Sequence, residues 1–382
     1  MTEQEILNRA DQVAAAIRGQ SERIEEARRL PDDIADIIKA SDLTRLFVPK
    51  QYGGMEAHPV TAFKAFEKVA AADASAGWCL GIVASPGINA AYMEDAAAQH
   101  FYGTPGAWMA GVFAPNGKAV QNGDSYKVNG RWSWGSGTQN ADHVMGGCFV
   151  VGDDGKPIPP VVPRLMIVSR EQIKFHDTWH VSGLKGTGST DFEMVGLDVP
   201  VSHAVSLQAD PRRLDAPLYI FPSFAMLATG IAATALGVGQ AALEAFHDLA
   251  GAKTPQFSKR SLAAKPAAQI DYAKAVGLIE GGRAFAYDAA YAAFEQAKTQ
   301  GELPDEVRAR LRLAFTTAVK NTAEAVGLLY VAGGGSSLFQ SSPLQRHFRD
   351  IHAITQHIMV NGATQELTGR VLLGVETDTA ML

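Results

Sequence analysis

TWHVSGLKGTGSTDFEMVGLDVP, residues 178–200, combines two patterns that define the middle of this chain. Glycines interrupt its first half at GLKGTGS, whereas its second half alternates apolar and polar residues up to a proline. Glycine clusters mark turns, and alternation with a period of two is typical of a strand with one buried face. Similar short runs rich in Val, Trp and Phe extend back to about Trp108. We therefore predict a β domain over residues 106–205.

Helical patterns flank this β domain on both sides. In residues 1–105, apolar positions recur three and four apart, as in ILNRADQVAAAI and TAFKAFEKVAAADASAGW. In residues 206–382, four long segments have the same spacing, at 223–250, 267–299, 304–331 and 344–372. Four long amphipathic helices indicate an antiparallel bundle. The order predicts an α+β fold with an N-terminal helical domain, a central β domain and a C-terminal four-helix bundle.

Composition excludes several classes of protein. The 382 residues suggest two or three domains, and 47% hydrophobic residues with a net charge of -6 are typical of a globular protein. Basic residues form no block or stripe, so we expect no nucleic-acid partner. The two cysteines, Cys79 and Cys148, are too few for a disulfide framework and fit a reducing cytoplasm. The first residues lack the pattern of a signal peptide, so we expect a cytoplasmic protein.

One stretch has the length and composition of a membrane span. Residues 216–243 carry no charge. They are rich in Ala, Gly, Ser and Thr, so a helix buried inside a bundle or a subunit interface explains them better than a lipid-facing helix. We expect no membrane association.

Four strings in the same order resemble the acyl-CoA dehydrogenase superfamily. They are LTRLFVPKQYGGMEA (43–57), NGRWSWGSGTQNADHVM (129–145), the opening stretch (178–200) and GGGSSLFQSSPLQRHFRD (333–350). The resemblance extends over the whole chain. It implies that the central domain is a β-barrel and that the protein is a homotetramer.

Within that superfamily the chain is most similar to the two-component flavin-dependent monooxygenases. Trp134-Gly-Ser-Gly is combined with Arg349-Asp350 and a histidine at 357, while the two positions used by dehydrogenases for a catalytic glutamate align with Ile358 and Leu227. The resemblance implies that reduced flavin (FADH2 or FMNH2) arrives from a separate flavin reductase and reacts with O2. The resulting C4a-hydroperoxyflavin would hydroxylate a small aromatic or heteroaromatic substrate.

Two residues are the predicted catalytic groups. Ser136 matches the position whose hydroxyl faces flavin N5 in this superfamily, and His357 matches the histidine proposed to assist the peroxide or to deprotonate the substrate. An oxygenase needs a neutral donor or acceptor near the flavin, whereas a dehydrogenase needs a carboxylate base. The alternatives are a turn hydroxyl at Ser136 and a helical histidine satisfied by a neighbouring carbonyl at 357. We interpret His352, on another side of the same predicted helix, as structural.

Other residues are predicted to bind the cofactor or the substrate. Trp134 and Gly137 lie beside Ser136, and strand alternation predicts that Trp132 and Trp134 face the same way. A Gly-rich turn and an arginine are candidates for phosphate binding, although the turn could be a plain helix terminator and the arginine could be ion-paired. Aromatic residues are candidates for the substrate pocket. The turn is Gly333, Gly334 and Gly335, the arginine is Arg283, and the aromatic residues are Trp108 and Phe221.

Two further patterns are not taken as sites. GVGQAA (237–242) lacks the strand that precedes a dinucleotide fingerprint, and the histidines of HDTWH (176–180) lie among strand and turn signals, so we predict no metal site. The related monooxygenases often have a histidine where this chain has Ser85 and Pro86, which leaves the substrate open. Two other hypotheses remain: an acyl-CoA dehydrogenase that passes electrons to an electron-transfer flavoprotein, and a helical scaffold without flavin.

Overall fold

A computed structural model describes all 382 residues and begins with a helical segment. Its six helices are α1 (Glu3–Ile17), α2 (Ser21–Ala27), α3 (Asp32–Ser41), α4 (Pro59–Ala72), α5 (Ala74–Ala84) and α6 (Asp95–Tyr102). The side chain of Asp73 caps α5 by accepting the amide of Ala76. Nearly every residue of α5 is buried, which makes it the central helix of this segment.

The middle segment forms one seven-stranded sheet. Its strands are β1 (Met109–Asn122), β2 (Ser125–Trp132), β3 (His143–Val150), β4 (Arg164–Ser169), β5 (Lys174–His176), β6 (Asp191–Pro200) and β7 (Ala204–Val205). The strand order is β5-β6-β2-β1-β3-β4-β7, with β1 and β3 parallel and the other pairs antiparallel. The two short end strands, β5 and β7, do not pair with each other. The domain is therefore an open mixed sheet where the sequence predicted a barrel.

The C-terminal segment is helical. Its helices are α7 (Ser223–Ala252), α8 (Pro266–Gln300), α9 (Asp305–Gly333), α10 (Pro343–Ile354) and α11 (Gly362–Leu372). The predicted single helix at 344–372 is wrong, because α10 ends at Ile354 and α11 starts after Asn361. The Asn361 side chain accepts the amide of Ala363 and so starts a new helix. The connection between the two helices, residues 355–361, carries His357.

The uncharged segment of the sequence corresponds to α7. It is the one helix long and apolar enough to cross a membrane by length and composition, and 89% of its most apolar 18-residue window is buried inside the protein. It crosses α5 at Gly81 and Gly230, where a Cβ atom on Gly81 would lie 2.9 Å from the Gly230 Cα. Two glycines at this crossing let the helix backbones approach closely and fix the position of α5.

Candidate active site

The predicted flavin-facing serine lies in a turn that follows β2. The chain turns at Trp134, which has a φ of +64°, and again at Gly137, which has a φ of +70°. The Gly135 amide donates to the Thr190 carbonyl at 3.1 Å and the Gly137 amide to the Thr187 carbonyl at 3.0 Å. The turn is therefore held against residues 187–190, the end of the Gly-rich motif.

The two tryptophans of this region do not face the same way. Trp132 is fully buried and its Nε1 donates to the Gly147 carbonyl at 2.8 Å, whereas Trp134 is 73% exposed. The prediction from strand alternation is wrong because β2 ends at Trp132 and the chain adopts a left-handed conformation at Trp134. A bulky residue in that conformation is uncommon, and such residues cluster at turns and at functional sites.

Trp78 on α5 brings the two predicted catalytic residues together. Its Nε1 donates a hydrogen bond to Ser136 Oγ at 3.0 Å. Its ring also packs edge-on against the imidazole of His357, with 5.5 Å between the ring centroids. Ser136 and His357, 221 positions apart in the sequence, thus flank one indole, as the hypothesis of a shared site requires.

His357 lies in the connection after α10 and not within a helix. Its Nδ1 accepts the Met359 amide at 3.2 Å, so the neutral ring carries its proton on Nε2. Burial lowers the pKa of His357 to about 4, and the positive charge of Arg312 contributes in the same direction. At neutral pH the side chain is therefore a neutral imidazole that can donate a hydrogen bond from Nε2.

Arg312 is the buried cation beneath this connection. Its terminal nitrogens donate to the backbone carbonyls of Met359 at 2.9 Å and Met381 at 3.0 Å, while its buried Nε has no partner. Burial lowers the pKa of Arg312 to about 10. The guanidinium holds the 355–361 connection in place and disfavours a second positive charge on His357.

A row of hydroxyl groups continues from Ser136 away from Trp78. Ser136 Oγ and Ser189 Oγ are 2.6 Å apart, Ser189 Oγ and Thr187 Oγ1 are also 2.6 Å apart, and Thr187 Oγ1 donates to the Leu184 carbonyl at 2.9 Å. Asp350 accepts the amide of that same Leu184 at 2.7 Å, and burial raises the pKa of Asp350 to about 7. The Arg-Asp pair of the sequence thus supports the turn that carries Ser136.

The two predicted substrate residues lie in different places. Trp108 is fully buried and its Nε1 donates to the Gly137 carbonyl at 3.1 Å, so it supports the Ser136 turn from behind. Phe221 lines a cavity of about 350 Å³ together with Ile88, Phe113 and Phe224. Ser136, His357 and Trp108 are not in the lining of this cavity. The substrate-binding roles of Trp108 and Phe221 stay predictions.

The predicted Gly-rich phosphate turn lies at the end of α9. Gly334 has a φ of +58° and a ψ of -148°, a conformation open only to glycine, and no atom lies within 4 Å of where a Cβ on Gly335 would stand. Lys253 Nζ donates to the Gly333 carbonyl at 2.7 Å, and the buried Ser337 hydroxyl has no partner. An open turn, an ammonium and an unpaired hydroxyl suit a phosphate, although that role also stays a prediction.

Arg283 is occupied by other side chains. It donates to Glu67 at 2.8 Å, to Glu280 and to Gln240, and Tyr287 donates to the second oxygen of Glu67. The Arg283 and Glu67 side chains are only 16% and 13% exposed. The ion-paired alternative therefore describes this arginine, and its predicted contact with a flavin phosphate has no support from its contacts.

The residues around Ser136 fit a flavin. Trp134 presents an exposed indole as a stacking surface, and Ser136 Oγ keeps one lone pair after its bonds to Trp78 and Ser189. Trp134, Ser136 and Gly137 would hold the ring system. Gly333, Gly334 and Gly335 would face a phosphate.

Sequence reasoning missed the residues that connect this site. They are Trp78, Thr187, Ser189, Leu184 and Arg312. The hydroxyls of Thr187 and Ser189 lie two apart in GTGS, so they belong to a motif that indicated a turn and the superfamily but no role in the site. Trp78 carried a weaker signal, as the single tryptophan in an uncharged helical run.

Comparisons with known proteins identify the family of this chain. The model of the acyl-CoA dehydrogenase N-terminal domain matches residues 2–100, and that of the C-terminal domain matches residues 229–362. The chain is 31% identical to an indole-3-acetate monooxygenase of Pseudomonas putida over 91% of this chain and 88% of that protein. It is 29% identical to the HsaA oxygenase subunit of a flavin-dependent monooxygenase of Rhodococcus jostii, over 92% and 93%.

Solved structures are similar over the whole chain. The 3-HSA hydroxylase of Rhodococcus sp. RHA1 superimposes with a TM-score of 0.90 at 27% identity, covering 98% of this chain and 99% of that one. XiaF from Streptomyces sp., in complex with FADH2 and glycerol, superimposes with a TM-score of 0.91 at 27% identity, covering 98% and 96%. The chain therefore belongs to the acyl-CoA dehydrogenase superfamily and, within it, to the flavin-dependent monooxygenases.

Proposed function

We propose that this protein is the oxygenase component of a two-component system that hydroxylates a small aromatic or heteroaromatic compound. Reduced flavin, FADH2 or FMNH2, comes from a separate reductase and, when bound, supplies the electrons that activate O2. The relatives named above support this reaction type, and others are named resorcinol hydroxylase and p-hydroxyphenylacetate 3-hydroxylase oxygenase components. The system works in the cytoplasm.

The hydrogen bond that His357 Nδ1 accepts from the Met359 amide is the observation that carries this proposal. A dehydrogenase needs a base that removes a proton from carbon, but the positions used for its glutamate hold Ile358 and Leu227 here. His357 has a pKa of about 4, and its Nδ1 is already used as an acceptor. Such a group is a weak base and a good neutral donor. Of the two roles predicted for this histidine, hydrogen-bond donation toward the reacting face of the flavin fits better than deprotonation of the substrate.

Other side chains complete the proposed site. Ser136 orients the flavin at N5, and Trp134 stacks on the ring system. Trp78 contacts both Ser136 and His357 and so fixes their relative positions. The aromatic cavity that contains Phe221 has a volume of about 350 Å³, which is the size range of a small-molecule site. We expect it to admit the substrate, with Ser136 and His357 outside its lining.

The protein is expected to act as a homotetramer. Large apolar side chains are exposed around the Gly-rich turn, as Val331 is 74%, Leu338 70% and Phe339 67% exposed. Exposed large apolar side chains of this kind are typical of subunit interfaces. A neighbouring subunit on this surface would also complete the proposed phosphate site at Gly333–Gly335.

Rapid mixing of the anaerobic protein and chemically reduced flavin with oxygenated buffer tests the proposal. We expect a transient absorbance band that belongs neither to reduced nor to oxidised flavin, and its decay is faster in His357→Ala. His352→Ala is the matched control, because this exposed histidine packs against Phe348 and its ring makes no hydrogen bond, and we expect it to keep the wild-type decay. Direct return to oxidised flavin in the wild type, together with bleaching of bound FAD by an acyl-CoA, would favour the dehydrogenase instead.

A further inference from the structure

The row of hydroxyl groups behind Ser136 forms a linear series of hydrogen bonds that ends in a donor on one side and in an acceptor on the other. It contains one indole N–H, three hydroxyls and one carbonyl, in the order Trp78, Ser136, Ser189, Thr187 and Leu184. The four contacts measure 3.0, 2.6, 2.6 and 2.9 Å. Ser136, Ser189 and Thr187 are all buried, so water does not compete for these groups.

Only one arrangement of protons satisfies all four contacts. The Leu184 carbonyl can only accept, so Thr187 spends its one hydroxyl proton there. Thr187 must then accept from Ser189, and Ser189 must accept from Ser136. At the other end the Trp78 N–H can only donate, and Ser136 accepts it. The proton of Ser136 therefore points at Ser189, and its remaining capacity is that of an acceptor.

We propose that Ser189 and Thr187 are positioning residues that make Ser136 a hydrogen-bond acceptor toward the flavin and thereby select its reduced form. This rests on the proposed function, in which Ser136 faces flavin N5. N5 of reduced flavin carries a hydrogen and donates, whereas N5 of oxidised flavin has a lone pair and accepts. An acceptor at Ser136 therefore satisfies reduced flavin and leaves oxidised N5 without a donor.

The surrounding structure favours this direction of the hydrogen bonds from Ser136 to Leu184. Leu184 is fixed on both sides, because Asp350 accepts its amide and Trp179 Nε1 also donates to its carbonyl. Reversing the Ser136 proton would require Thr187 to give up its bond to that carbonyl. The loss of one buried hydrogen bond corresponds to about a fivefold to tenfold change in affinity.

Anaerobic titrations measure this preference directly. The quantity is the ratio of the dissociation constants of oxidised and reduced flavin, measured by equilibrium binding without O2 or substrate. We expect the wild type to bind reduced flavin more tightly than oxidised flavin. Ser189→Ala frees the Ser136 proton, and we expect the ratio to fall by about fivefold to tenfold. A general loss of structure would weaken the binding of both redox forms of the flavin equally and leave the ratio of their dissociation constants unchanged.

Three further variants make the test specific. Thr187→Val removes the acceptor for Ser189 and is expected to lower the ratio as Ser189→Ala does, whereas Thr187→Ser keeps the hydroxyl and the wild-type ratio. Ser133→Ala is the control, because this serine lies three residues from Ser136 and takes no part in the hydrogen bonds from Trp78 to Leu184. If Ser189→Ala does not fold, the comparison of Thr187→Val with Thr187→Ser decides the question.

The titrations test the role of Ser189 and Thr187 independently of the oxygenase reaction. An unchanged ratio in both Ser189→Ala and Thr187→Val would overturn the positioning role, even if the protein is an oxygenase. Equal affinity of the wild type for both redox forms would overturn it as well. A lowered ratio in the variants supports the inference even when no substrate is known, because the titration requires no turnover.

Discussion

The indole Nε1 of Trp78 donates a hydrogen bond to Ser136 Oγ across 3.0 Å. The ring of the same tryptophan packs against His357. One side chain of the N-terminal segment therefore connects the turn after β2 with the connection after α10. The site depends on how the three segments pack, and Trp78 is the residue through which they meet.

Replacing Trp78 tests this connection. Trp78→Phe keeps an aromatic ring against His357 but removes the donor to Ser136, which is worth about 1 kcal/mol. We expect the fraction of reduced flavin that yields product rather than hydrogen peroxide to fall by about twofold to tenfold. Ser136→Ala should remove the same interaction, so the double variant should lose less than the two single losses combined. Strict additivity would mean that the two residues act independently.

The pKa of His357 predicts a pH dependence of stability. Its value of about 4 in the folded protein lies below the value of about 6.5 expected for an unfolded histidine. The unfolded state thus binds more protons in this range, so the contribution is present above pH ~6.5 and is lost as the pH falls toward 4. His357→Gln lacks this titration. The difference in Tm between wild type and variant should therefore decrease on acidification from pH 7 to pH 4, and a constant difference would contradict the pKa.

Asp350 predicts a dependence of the opposite sign. Its pKa of about 7 in the folded protein lies above the value of about 3.9 for an unfolded aspartate. Its contribution to stability is therefore greatest at low pH and is lost as the pH rises toward 7. Asp350→Asn keeps an acceptor for the Leu184 amide without the charge, so urea unfolding should show the variant gaining on the wild type between pH 5 and pH 8.

Asp350→Ala separates the charge of this residue from its hydrogen bond. It removes the charge as Asp350→Asn does but also leaves the Leu184 amide without its acceptor, so it should be about 1–3 kcal/mol less stable than Asp350→Asn at both pH 5 and pH 8. Equal behaviour of the alanine and asparagine variants would rule out the hydrogen bond to Leu184 as the important contact.

Arg283 separates a structural role from a cofactor role. Arg283→Gln leaves the largely buried Glu67 without its cation and should lower the free energy of unfolding by about 3 kcal/mol. The exposed pair of Arg310 and Asp288 is the matched control, and Arg310→Gln should cost about 0–1 kcal/mol. We expect the flavin affinity of Arg283→Gln to stay within about twofold of the wild type. A larger change would correspond to the loss of a hydrogen bond to the flavin. A large loss of affinity with normal stability would instead support the phosphate contact.

Much of this protein could be predicted from local patterns. The order of helical, β and helical segments follows from periods of 3.6 and 2, which depend only on neighbouring residues. The motifs around Ser136 and Asp350 indicated the family, which the comparisons with known proteins confirmed. The structure has neither the predicted barrel nor the predicted unbroken last helix. Strand pairing and the cap at Asn361 depend on contacts that the periodicity of the sequence does not contain.

The sequence by itself determined the segments, the family and the residue types at the site, because these depend on side-chain chemistry and local spacing. Tertiary structure alone decided that Trp78 joins Ser136 to His357, that Trp134 turns outward and that Arg283 is bound to Glu67. It also decided the protonation of His357 and the direction of the Ser136 proton, because burial and partners from distant parts of the chain set both.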